Sequence, residues 1–177
     1  MSAVANPDTY GTLVEPATLK IQRVLPGPIE RVWAYLTESD LRRQWLASGE
    51  MEMKLGAAFE FCWRNDELTN PPGNKPEGFG EEHRMQSHIT ELDPPRKLAI
   101  EWGSTGGVTF ELESKGKDVL LTLTHHRILD RSTRLNVSAG WHAHLDVLVA
   151  RMEGTEPEPF WDEWLQRKAE YEKRLPA

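Results

Sequence analysis

The chain has 177 residues, a formal net charge of −7, 38% hydrophobic and 28% charged residues, a composition that fits one globular domain with an ample core. The acidic balance shows no basic stripe, which argues against nucleic-acid binding, because neutralising phosphates takes clustered Lys and Arg. No stretch approaches the roughly 18 apolar residues of a membrane span, and residues 1–15 lack the basic-then-apolar pattern of a signal peptide. The lone cysteine, Cys62, cannot form an internal disulfide, so a cytoplasmic protein is expected.

Residues 1–16 carry no periodicity and contain Pro7, Gly11 and Pro16, which predicts a flexible N-terminal arm. Residues 18–25 alternate, with Leu19 and Ile21 facing one way and the phase undecided at Val24 and Leu25, as a first strand. Pro26-Gly27-Pro28 stops it. Ile29, Val32, Trp33 and Leu36 then share one face of a short amphipathic helix. Ser39 is the expected N-cap of a second short helix whose apolar side is Leu41, Trp45 and Leu46. Residues 56–64 are the clearest strand, with Phe59, Phe61 and Trp63 on one face and Glu60, Cys62 and Arg64 on the other.

Residues 65–80, centred on Pro71-Pro72-Gly73, read as a long loop, and a loop of that length in a compact domain is a lid candidate. Residues 81–92 read as a long strand, bulged because no single phase keeps Met85, Ile89 and Leu92 together. After the turn 93–96, Leu98, Ile100 and Trp102 alternate. A turn cluster at 103–107 leads to Val108, Phe110 and Leu112, and a further turn leads to Val119, Leu121, Leu123 and His125. Such successive hairpins predict an antiparallel sheet covered on one side.

A helix is expected from Ser132 or Leu135 to Glu153. On its 3.6-residue period Trp141, His144, Leu145, Leu148 and Met152 fall on one face, while His142, Asp146 and Arg151 turn elsewhere. His142 and Asp146 are read as a surface pair four residues apart. A last helix at 160–175 gathers Phe160, Trp161, Trp164, Leu165, Lys168 and Tyr171 near one side.

This order, with Val32-Trp33-Ala34-Tyr35-Leu36-Thr37, Trp45-Leu46, Asp93-Pro94-Pro95-Arg96-Lys97-Leu98, Leu121-Thr122-Leu123-Thr124-His125 and Gly140-Trp141-His142, resembles the SRPBCC (START-like, helix-grip) superfamily. Within it the chain is similar to the branch named for the heat-shock-protein-90 ATPase activator, mostly small bacterial proteins. The resemblance implies an α+β fold in which a curved antiparallel sheet wraps around a long C-terminal helix, with two short helices after the first strand. The expected organisation is an arm at 1–16, a helix-grip domain at 17–153 and a C-terminal helical extension at 154–177 packed on the same domain. It also implies a largely apolar cavity between sheet and helix, used in the superfamily for lipids and other hydrophobic molecules, but no catalytic motif that transfers residue by residue.

Seven tryptophans supply large apolar rings, each with an N–H that needs a partner when buried. The proposed cavity walls are Trp33, Phe59, Phe61, Trp63, Leu98, Ile100, Trp102, Phe110, Leu121, Leu123, His125, Trp141, His144, Leu145 and Leu148. A fully packed core would show the same residues, so an open cavity and a filled one remain alternatives. His125 and His144 both fall on the inward phase, as polar anchors for a ligand or as satisfied core histidines. The histidine spacings and the absence of HExxH predict no metal site, and no cofactor is expected.

The function expected is binding of a small hydrophobic or amphipathic molecule. One alternative is a co-chaperone-like module whose partner is a chaperone or other protein. Another is a cavity enzyme of cyclase, aromatase or hydrolase type using His125 or His144. Monomer and homodimer are both compatible with the sequence.

Overall fold

A computed structural model describes residues 10–15, 17–102, 106–128 and 130–175. Two strands come first, β1 (Thr12–Glu15) and β2 (Thr18–Pro26). On β2 the inward phase is Leu19, Ile21, Arg23 and Leu25, all buried. Helices α1 (Ile29–Thr37) and α2 (Ser39–Arg42) follow, and α1 buries Val32, Tyr35 and Leu36 against the later strands of the sheet. The antiparallel run is β3 (Ala58–Trp63), β4 (His83–Asp93), β5 (Lys97–Glu101), β6 (Gly107–Lys115) and β7 (Asp118–His126). Helix α3 (Arg131–Glu153) and helix α4 (Phe160–Arg174) close the chain.

The seven strands form one sheet in the order β1-β2-β7-β6-β5-β4-β3. All neighbouring pairs are antiparallel. β4 carries a register shift between Ile89 and Glu91, the bulge that the broken phase of that strand predicts; bulges increase local bend and twist. The alternation of β3, β6 and β7 puts Phe59, Phe61, Phe110, Leu121 and Leu123 into one core with β2 and α3. This is the helix-grip arrangement: a curved open sheet holding one long helix.

The ends of α3 follow from local chemistry. Asp130 caps it, its carboxylate accepting the Thr133 N–H at 2.9 Å, and Gly154 closes it in the left-handed region at φ 73°, where glycine carries no Cβ strain. The helix therefore starts ahead of both Ser132 and Leu135.

Several expectations are corrected. Within the stretch expected to be a loose arm, Thr12–Glu15 pairs with β2 because Leu13 and Tyr10 pack on the cluster of Leu135, Tyr171 and Leu175; residues 1–9 lie outside the described residues, as do 103–105 of the expected turn. Ser39 is not an N-cap: it is the first residue of α2, and its hydroxyl accepts the Gly49 N–H at 2.9 Å. His142 is not at the surface. It is 1% exposed, because α4 covers the side of α3 that faces away from the sheet. In α4 itself Leu165 is exposed and Glu163 buried, for the helix turns toward α3 a face that includes a carboxylate.

Candidate ligand cavity

The inward row of β3 places Phe59, Phe61 and Trp63 edge to face, with ring centroids 5.0 and 5.3 Å apart. Trp63 ends that row. Trp102, just past β5, lies 5.5 Å from Trp63 and 5.0 Å from Trp141 of α3. These three indoles make one wall. The first turn of α4 makes the facing wall: Phe160, Trp161 and Trp164, with Phe79 resting 4.9 Å from Trp161 and 5.3 Å from Trp164. Between them α3 contributes Val137, Gly140, Trp141 and His144, whose spacing puts all four on one helical face. The space between the walls is about 390 Å³ and open on one side. Residues 78–82 are exposed and form its rim.

The loop expected to act as a lid divides in two. Its first part is strapped to the start of α4. The Phe160 N–H donates to Thr69 Oγ1 at 2.9 Å and the Trp161 N–H to the Pro72 carbonyl at 2.9 Å. Trp161 Nε1–H donates to Asp66 Oδ1 at 2.8 Å, and the Asn74 N–H to Asp162 Oδ1 at 2.8 Å. Lys75 pairs with the second Asp66 oxygen at 2.8 Å and, as its hydrogen-bond donor, holds that carboxyl below its ordinary pKa. At Gly73 a Cβ would stand 2.8 Å from the Asp162 backbone nitrogen, at φ +90°, so the strap passes only as glycine. Asn65 and the loop's last residues, 78–80, border the cavity, together with Glu81 and Glu82 of the stretch expected to be strand.

The lining offers hydrogen-bond acceptors beside its indole N–H groups and His83. His144 Nδ1 lies 2.8 Å from the Trp45 carbonyl, which can only accept, so Nδ1 carries the proton and Nε2 keeps its lone pair. Burial lowers the pKa of this imidazole to about 4 against that hydrogen bond, so it is neutral at pH 7. Asn65 Oδ1 is buried with no hydrogen-bond partner. Glu82 is engaged by Arg64 and Arg84, each at 2.6 Å. Glu81 has no ion-pair partner among the described residues, and no Lys or Arg is in the wall.

Of the residues expected to line a cavity, Trp63, Trp102, Trp141 and His144 border this one. Phe59, Phe61, Leu98, Ile100, Phe110, Leu121, Leu123, His125, Leu145 and Leu148 are in the packed interior, none more than 5% exposed. Trp33 is half-buried against that interior, away from the cavity. His125 Nδ1 accepts the Trp141 indole N–H at 3.1 Å, while His144 turns to Trp45; the two histidines have separate partners. Sequence reasoning did not place Asn65, Phe79, Met85, Val137, Gly140, Phe160, Trp161 or Trp164 at a site. The 137/140/141/144 spacing was the available signal.

A second polar cluster lies between α3 and α4. Arg23 donates to Asp146 Oδ1 from Nη2 at 2.9 Å and from Nε at 3.2 Å. His142 Nε2 stands 3.4 Å from Asp146 Oδ2, and its Nδ1 is 2.9 Å from the Tyr171 hydroxyl. That hydroxyl also accepts the Gly11 N–H at 2.7 Å. Burial opposes ionisation of Asp146, yet the His142 hydrogen bond and the Arg23 charge hold its pKa down to about 2. Glu163 goes the other way, pushed up to about 9 by burial and then by the Asp146 carboxylate. Among the described residues no group of three or more His, Cys, Asp or Glu is placed to hold a metal ion, and no helix is long and apolar enough to cross a membrane.

A sheet gripping one long helix beside an aromatic cavity defines the helix-grip class of the SRPBCC superfamily. Residues 26–153 match the family model described as Activator of Hsp90 ATPase homolog 1-like protein, and the chain belongs to that family. It is 38% identical to a Bordetella parapertussis protein of known solution structure, with 99% of this chain and 95% of that one covered and a TM-score of 0.79. CalU16 from Micromonospora echinospora shares the fold at 18% identity, covering 88% of this chain and 86% of that one, TM-score 0.62. So does a conserved Enterococcus faecalis protein of unknown function, at 20% identity, 93% and 89% coverage and TM-score 0.69. Comparison with curated proteins gives no match.

Proposed function

We propose that the chain binds a small hydrophobic or amphipathic molecule in the cavity between β3–β4, α3 and α4. The observation that carries this is a space of about 390 Å³ walled by seven aromatic rings. That size is within the range of small-molecule sites, which are apolar with a few placed polar groups. Each 100 Å² of ligand apolar surface removed from water contributes about 2.5 kcal/mol, and His144 and Asn65 supply orientation. The lining contains no Ser, Thr, Cys, Tyr or Lys, hence no hydroxyl, thiol or amine nucleophile for His144 to activate, which favours binding over catalysis. The unpaired Cys62 suits a reducing compartment such as the cytoplasm.

Native mass spectrometry of freshly purified protein, followed by extraction, tests the reading. A stoichiometric apolar adduct, or saturable quenching of tryptophan fluorescence by members of a panel of aromatic and aliphatic compounds, is expected. A clean apo mass with no response to any member of the panel overturns it.

A further inference from the structure

We propose that the occupant is a hydrogen-bond-donating organic cation, a protonated amine carried on a flat apolar body. This rests on the container reading above and narrows it to a ligand class.

Three independent features of the wall point the same way. The buried imidazole of the wall presents an acceptor. His144 spends its one N–H on Trp45, which leaves Nε2 as a lone pair. A bound N–H would satisfy that lone pair, whereas a ligand carbonyl or carboxylate would not.

The charge of the lining is negative. Glu81 and Glu82 border the cavity, and the arginines that hold Glu82 stand outside its wall. With Glu82 neutralised by that pairing, Glu81 is the carboxylate free to meet a ligand. An anionic head group would face it with no wall cation to offset the repulsion.

The apolar surface is aromatic, and indole faces attract cations. Trp164 already shows this, with Lys168 Nζ 5.4 Å from its ring centroid. Aliphatic walls would leave a ligand's charge unread; these rings discriminate by sign.

The experiment uses the full chain and three probes that share one body: 3-phenylpropylamine, 3-phenylpropanol and 3-phenylpropanoate, titrated at pH 7.5 by calorimetry. The amine is expected to bind roughly tenfold more tightly than the carboxylate and about threefold more tightly than the alcohol. Added salt is expected to shrink the amine's advantage. Glu81→Gln, on the exposed rim, is expected to lower the amine-to-alcohol ratio while the alcohol's affinity holds. Alcohol and carboxylate binding as well as the amine overturns the cation class and leaves the container reading standing. Failure of all three to bind overturns both.

Discussion

Arg23 of β2 and Asp146 of α3 meet in an ion pair of 2.9 Å whose side chains are 4% and 28% exposed, fixing the long helix to the sheet at a point where the strand's alternation calls for an apolar residue. Arg23 reaches one carboxylate oxygen from both Nε and Nη2, and the other oxygen faces His142 and Arg167. Removing one partner strands the other in a poorly solvated place.

Asp146→Ala is therefore expected to destabilise the protein by about 3 kcal/mol, because it leaves the guanidinium buried. Arg23→Met combined with Asp146→Ala is expected to recover most of that loss. Urea midpoints of the two variants decide it; equal loss in both would mean that packing, not charge, is what the pair supplies.

Glu163 gives stability a specific dependence on pH. Its pKa rises from the ordinary 4.5 to about 9 in the folded protein, so between those values the folded state holds a proton that the unfolded chain has released. Stability is then complete below the lower value and lost as pH climbs through the upper one. His142 and His144 are shifted down by burial and act oppositely, their contribution being lost as pH falls below about 6.5. The interval from about 6.5 to 9 thus reads Glu163, with a slope approaching 1.4 kcal/mol per pH unit. Thermal midpoints of the wild type are expected to fall across it, and those of Glu163→Gln to stay level. A parallel fall in both proteins would rule this group out.

Gly140 offers a graded way to fill the cavity. A Cβ there would come no closer than 3.8 Å, to Trp164 Nε1, so Gly140→Ala fits, and the helix gains roughly 0.5–1 kcal/mol from the lost glycine freedom. Gly140→Leu is expected to keep the fold, by circular dichroism, and to lower affinity for any cavity ligand about tenfold. Unchanged affinity in the leucine variant would place the ligand elsewhere.

Phe79 is 42% exposed and meets two α4 indoles at the rim, tilted to one and edge-on to the other. Phe79→Ala should cost less than about 1 kcal/mol, as exposed positions do, while ligand dissociation quickens several-fold. Stopped-flow tryptophan fluorescence separates this from a purely structural role, in which the off-rate would not move.

Much of the fold was legible because its alternation is clean. Phe59, Phe61 and Trp63, or Leu121 and Leu123, announce one buried face without help from tertiary contacts. The second half of β2 was not, since Arg23 occupies an inward position and its partner is 123 residues away; an undecided phase at Val24 and Leu25 is what a buried charge looks like in a sequence. His142 misled for a related reason. Periodicity shows which side of α3 meets the sheet but not that a second helix seals the other side. The cavity was legible only in part: Trp63, Trp102, Trp141 and His144 sit on predicted inward phases, while Trp161 and Trp164 come from a helix whose docking no local pattern reveals. Residues 78–80 fall in the aperiodic loop, so only the three-dimensional course of the chain brings Phe79 onto α4.

The family match ends at residue 153, seven residues before the helix that supplies the second aromatic wall. The gripping sheet and helix thus lie inside the matched stretch, and the second aromatic wall lies outside it. A relative could keep the sheet and α3 unchanged and still acquire a different appetite by altering one helical turn, Phe160 to Trp164, and the glycine that lets the strap reach it. Grafting that turn between relatives would move a preference without rebuilding a core, and divergence in this family can then be sought in fifteen residues at the end of the domain.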